Sequence, residues 1–231
     1  MSDISEDLQV EIDGLRYEIT NARKNAGGFA RRHFNSTRQN ALVFCLQRAA
    51  DTAKGCDLLG EAKLLAPLYA LTRSLLESLI WVCWIVKSEE NAQVFVEAAT
   101  SELKRIARKD LATSFARVTD KVTGEDKTEE LLESDWSKGI PRRLRIEELA
   151  KASGLERIYT QLYGPLSMQA HGSVFGFELG SAEEELLGVM ALANVLMECI
   201  NLVVKNWIVK RKQTSPTEVY AVLMPSRQEA A

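Results

Sequence analysis

Histidine is nearly absent from this chain: His33 and His171 are the two in 231 residues. That excludes a histidine-rich metal centre and leaves two imidazoles for proton transfer near neutral pH. Cysteine is also sparse, and Cys45, Cys56, Cys83 and Cys199 stand in apolar stretches with no C-x-x-C spacing. Neither a zinc site nor a disulfide framework is expected from that pattern, only reduced core thiols. There is no phosphate-binding glycine-rich loop, no G-x-S-x-G elbow and no H-E-x-x-H run, so no metal and no cofactor is expected. An excess of positive charge is missing too. Twenty-nine basic residues face thirty-two acidic ones, a formal net charge of −3, so a nucleic acid would have to be met by a local patch. The opening MSDISEDLQVEIDG has neither the basic nor the apolar region of a signal peptide, and a cytoplasmic protein is expected.

What is present is apolar residues at helical period. Residues are 46% hydrophobic and 26% charged, enough for one packed core. No alternating run long enough for a sheet occurs, so the fold class is all-α: a single-domain helical bundle of about six to eight helices. The expected organisation is an N-terminal helix and linker over 1–34, a bundle over 35–213 and a loosely held tail over 214–231.

Leu8, Ile12, Leu15 and Ile19 define a first helix that Gly27-Gly28 should end. A second follows to about Leu59. The third, around LLESLIWVCWIV, is apolar on nearly every side and reads as the central helix, with Pro67 marking its start or a kink. A charged helix runs from Glu89 to about Val118, and a polar connection with a short helix spans Thr119 to Ile140. Pro141 should open the next helix, and Gly164-Pro165 should interrupt a later one. Ser181 with Glu183 to Glu185 caps the last long helix. Its segment Leu186 to Val204 is apolar enough to cross a membrane, but Asn194, Glu198 and Asn201 make it a core helix, and no membrane contact is expected.

Three polar groupings stand out. Arg73 and Glu77 are four apart on the apolar third helix, and such a pair marks either a functional site or an ion pair that pins helix packing. In YGPLSMQAHGS, Tyr163, Ser167 and His171 follow at spacings of four, with Ser173 beyond; they either face the Arg73–Glu77 pair or bridge helices structurally. Asn194 and Glu198 form a stripe that either faces solvent or lines the same pocket. Basic clusters at Arg31, Arg32 and Arg38, at Lys104, Arg105 and Arg108, and at Arg142, Arg143 and Arg145 are ordinary solvated surface or a footprint for RNA. The apolar helix carrying Trp81 and Trp84 needs covering, by the chain itself or by a homodimer or partner protein.

With R-S-L-L-E at Arg73 to Glu77 and Y-G-P-L-S-M-Q-A-H-G-S at Tyr163 to Ser173, the chain resembles the bacterial family DUF5677, over about Leu42 to Lys205. That group is similar to HEPN-like helical proteins, many of which are metal-independent ribonucleases of toxin–antitoxin and antiphage systems that act as dimers. The resemblance implies a HEPN-like core, His171 as acid/base group, Arg73 stabilising charge on the scissile phosphate, Glu77 orienting Arg73, and Tyr163, Ser167 and Ser173 positioning substrate. The arginine that HEPN proteins carry shortly before the histidine has no counterpart at Gly164, Pro165 or Leu166, so the role falls to Arg73 from another helix. Two other readings stay open: a non-catalytic sensor or interaction module, and a pocket for a small polar ligand.

Overall fold

The computed structural model describes residues 5–30, 36–134, 144–170 and 181–224, save the side chain at 99. These residues form α-helices and one π-helical turn; among them no strand occurs, only an isolated bridge between Thr119 and Asp126. The all-α bundle expected from the periodicity is what forms.

Four long helices make the centre: α1 (Glu6–Ala30), α2 (Thr37–Glu61), α3 (Leu65–Ile85) and α9 (Ala182–Lys210). The predicted face of α1, Leu8, Ile12, Leu15 and Ile19, is buried against α2 and α9. The helix does not stop at Gly27-Gly28 but runs through them, because buried Ala26 and Phe29 tie its last turn to the core. That packing offsets a glycine penalty of about 1 kcal/mol each. Between α2 and α3 the chain reverses at Lys63, whose φ is 54°. Pro67 is the third residue of α3, where the missing N–H has no intrahelical acceptor, so it costs the helix no hydrogen bond. Ser181 and Glu184 form a capping box that starts α9, satisfying two orphan donors reciprocally. Both α3 and α9 are long and apolar enough to cross a membrane, yet here they are core helices, with 50% and 56% of their most apolar windows buried.

The smaller elements decorate this centre. Helix α4 (Glu89–Ala112) is capped by the Ser88 hydroxyl, which accepts from the Asn91 N–H. The connection after it is more structured than its composition suggests: the Asp120 carboxylate accepts from the N–H groups of Val122 and Thr123, both at 2.8 Å, and α5 (Thr128–Glu133) follows. Helix α6 (Ile146–Ser153) ends at Gly154, φ 76°, a left-handed position that glycine fills without strain. Pro141 lies outside the described residues.

The interruption expected at Gly164-Pro165 is displaced. Chain runs on helically through α7 (Glu156–Ile158), the π-helical turn Tyr159–Tyr163 and α8 (Gly164–Ala170). Pro165 cannot donate to the carbonyl four residues back, that of Gln161, and its ring would crowd it. Widening the preceding turn to π geometry relieves both problems without ending the helix.

The segment expected to be a loose tail holds α10 (Pro216–Leu223), started by a second capping box between Ser215 and Glu218 and docked by buried Val219. Like α1, it packs on α9, so the described parts of both chain ends belong to the bundle.

Candidate functional site

Helix α3 meets the π turn and α8 through side chains, and the meeting point is polar. The Arg73 guanidinium donates through Nη1 to the Ser167 hydroxyl at 3.2 Å, lies 5.8 Å from the centre of the Tyr163 ring, and has Nε 3.6 Å from a Glu77 carboxylate oxygen. Tyr163 in turn hydrogen-bonds Glu77 and stacks on Tyr159, ring centres 4.7 Å apart. Burial first, then the Glu77 charge, raises the Tyr163 phenol above its ordinary value, so it stays a protonated donor. Four of the residues singled out in the sequence therefore converge: Arg73, Glu77, Tyr163 and Ser167. The π turn is what makes this work locally, since it resets which residues of 159–170 face α3. The Arg73 and Glu77 side chains keep 25% and 30% of their surface exposed, so the pair is half-buried and reachable. His171 and Ser173 lie outside the described residues, as do Arg142, Arg143 and His33.

One turn along α3 from Arg73, Glu77 also lines a cleft of about 670 Å³ between α2, α3 and α4. Its lining residues recur at helical spacing on each wall: Phe44 and Arg48 on α2, Ser74, Ser78 and Trp81 on α3, Ser101 and Arg105 on α4. The Phe95 ring sits 5.1 Å from Trp81 and 6.3 Å from Phe44, joining the three helices at one end. No motif in the sequence announces this cleft. Its one signal is small hydroxyl residues, Ser74, Ser78 and Thr52, standing at core spacing where bulky residues would close the helix contact.

Asn194 and Glu198 do not join this site; both turn to α1. Asn194 donates to Glu11 at 3.0 Å, and burial followed by the neighbouring Glu18 charge raises the Glu198 carboxyl. Asn201 completes the seam, donating to the Glu18 carbonyl at 3.0 Å and to its carboxylate at 2.7 Å. Gly14 allows the close approach, since a Cβ there would lie 2.5 Å from the Asn194 amide nitrogen. The polar stripe on α9 is thus helix-packing chemistry.

Of the basic residues, Arg105 lines the cleft and pairs with Glu102 at 2.9 Å, Arg108 is exposed on α4, and Arg38 is spent on scaffold, over the Trp207 ring at 4.5 Å and 3.5 Å from Glu89. Trp81 and Trp84 are half-buried and cover each other edge-on at 5.7 Å. The four thiols are buried and free; burial pushes Cys45, Cys56 and Cys83 up to about 12, so they are poor nucleophiles. Among the described residues no group of three or more histidine, cysteine or carboxylate side chains is placed to hold a metal ion.

Comparisons with curated proteins and with solved structures gave no match. The profile of one family matches residues 39–185, well over half of the chain and including α3, the π turn and α8, so the helices that build the Arg73 cluster are family territory. The chain is a member of DUF5677, a family of unknown function.

Proposed function

We propose that the protein is a metal-independent ribonuclease or toxin of the HEPN-like kind, acting in bacterial antiphage defence or a toxin–antitoxin pair. The observation that carries the reading is the setting of Arg73: a reachable guanidinium on a largely apolar helix, bracketed by Glu77, the Tyr163 ring and the Ser167 hydroxyl. Helix α8, which supplies Ser167, is described as far as Ala170, the residue next to His171 in the chain. Cutting a phosphodiester without a metal needs a group that moves protons near neutral pH and a fixed cation for the charge that develops on phosphate. His171 has the first property by its chemistry and Arg73 the second. Glu77 holds the guanidinium in place, and the hydroxyls position substrate.

The test is RNA cleavage by the purified protein, with growth suppression in bacteria as a second readout. His171→Ala and Arg73→Ala each lower activity by about 10²-fold or more while the proteins stay folded. Both variants cutting RNA as well as the parent would end the proposal.

A second reading, an interaction module, is favoured by α4. Val96, Leu103 and Ile106 are 48%, 69% and 51% exposed, at spacings of seven and three that make one stripe. The helix begins with Glu89 and Glu90 and ends near Arg108 and Lys109, so two copies paired antiparallel set acidic ends against basic ones under a two-fold axis. A second copy of this chain is the partner that fits. Sedimentation should show a dimer that Leu103→Glu with Ile106→Glu dissociates; a monomer at high concentration removes this reading.

A further inference from the structure

The cleft between α2, α3 and α4 shares Glu77 with the Arg73 cluster but has a chemistry of its own, which does not require cleavage at Arg73. At about 670 Å³ it falls in the size range of small-molecule sites. Trp81, Phe95 and Phe44 give it an aromatic end, suited to a flat apolar body.

Its polar floor, on α3, is one-sided. The Ser74 hydroxyl donates to the Ala70 carbonyl at 3.1 Å and the Ser78 hydroxyl to the Ser74 carbonyl at 2.8 Å. With their single protons spent on their own helix, both present lone pairs only. Glu77 stands between them and adds a carboxylate. Thr52 on the α2 wall repeats the pattern, donating to the Arg48 carbonyl at 3.0 Å. A ligand end that sits here must bring donors, and an ammonium group brings three.

The charges around the cleft sort into pairs and a remainder. Glu77 is matched by Arg73, and Arg105 by Glu102. Arg48 on α2 and Glu97 on α4 line the same cleft, and among the described residues neither has an ion-pair partner. Arg48 is therefore open to a ligand carboxylate, while Glu77, only loosely paired at 3.6 Å, still adds negative charge to the acceptor floor.

We propose that this cleft binds a zwitterion with an apolar body, of the size of an aromatic amino acid or a hydrophobic dipeptide. Its ammonium group sits on the Ser74–Glu77–Ser78 floor, its carboxylate turns to Arg48, and its body lies against Trp81 and Phe95.

Titration calorimetry of the full chain with L-tryptophan, tryptamine and indole-3-propionate holds the body constant and varies only the charge. L-tryptophan binds tightest, tryptamine about three-fold more weakly for want of the Arg48 contact, and indole-3-propionate weakest, the three-fold step being what an exposed ion pair supplies. Arg48 is exposed, so Arg48→Gln leaves the fold intact; it brings L-tryptophan down to the affinity of tryptamine and leaves tryptamine unchanged. Ser78→Val fills the floor and weakens both amines. The proposal is overturned if indole-3-propionate binds as tightly as L-tryptophan, if Arg48→Gln preserves the gap between L-tryptophan and tryptamine, or if none of the three gives heat at millimolar concentration.

Discussion

Two charged clusters, one on α2 and one on α3, use the same side-chain types for opposite ends. On α2 the Asp57 carboxylate is fully buried and enclosed by cations: the Arg16 Nε from α1 at 2.8 Å, and Lys54 one turn earlier. Arg16 also pairs with Glu61. Each charge there has an opposite charge, and the cluster does one thing, which is to fix α1 on α2. On α3 the Arg73–Glu77 pair is half-exposed, its neighbours are hydroxyls and an aromatic ring as well as a carboxylate, and a cleft opens beside it. A buried, fully paired carboxylate has little left to offer a substrate, whereas a reachable guanidinium beside a half-exposed carboxylate, a hydroxyl and an aromatic ring does.

The contrast is broken or sharpened first at Asp57. Replacing it by alanine strips Arg16 and Lys54 of their shared partner and leaves a cavity under α1. Both cations are partly exposed and can recover water, so the expected loss is about 2–3 kcal/mol, below the usual cost of breaking a wholly buried pair. Urea unfolding measures it. A loss under about 0.5 kcal/mol, the level of an ordinary surface change, would mean that the α1–α2 network is ornamental.

Arg73→Ala comes next, with a smaller expected cost of about 1–2 kcal/mol, because its hydrogen bond to Ser167, its contact with the Tyr163 ring and its pair with Glu77 are all made by a side chain that still reaches water. That difference from Asp57 makes the activity assay on Arg73→Ala interpretable, because the variant stays folded. Should Arg73→Ala prove as destabilising as Asp57→Ala, the two clusters are alike and Arg73 is scaffold.

The α3 cluster is legible in the sequence because a charged pair four residues apart stands out in an apolar helix, and because Tyr163 and Ser167 keep the same spacing further along. Asp57 is not. In DTAKGCD it sits among residues that look solvated, and only the approach of α1, from far along the chain, buries it. Asn194 and Glu198 mislead for the converse reason: their spacing is visible, but spacing does not say which neighbour a helix face meets, and Gly14 on α1 makes room for Asn194. Long-range pairing also hides the docked α10, whose composition reads as a tail although Ser215, Pro216 and Glu218 spell a helix start.

The smallest expected effect lies at that last helix, where the Glu218 side chain is 39% exposed, against 30% for Glu77 and none for Asp57. Glu218 accepts from the Ser215 backbone N–H at 2.7 Å and from Lys212 at 2.9 Å, and these donors pull its carboxyl from 4.5 down to about 2, the Ser215 backbone contact counting most. A carboxylate whose pKa is lowered by folding adds stability that is fully present above its unfolded value and is lost as pH falls toward the folded one. The α10 cap should therefore loosen between about pH 4.5 and pH 2, read as faster amide exchange over residues 217–223 relative to α9. Glu218→Gln flattens that dependence while leaving the α1–α2 and α3 clusters untouched. An α10 that exchanges no faster at pH 2.5 than at pH 6, once intrinsic rates are corrected, would show that Val219 holds the helix and that the exposed cap adds nothing.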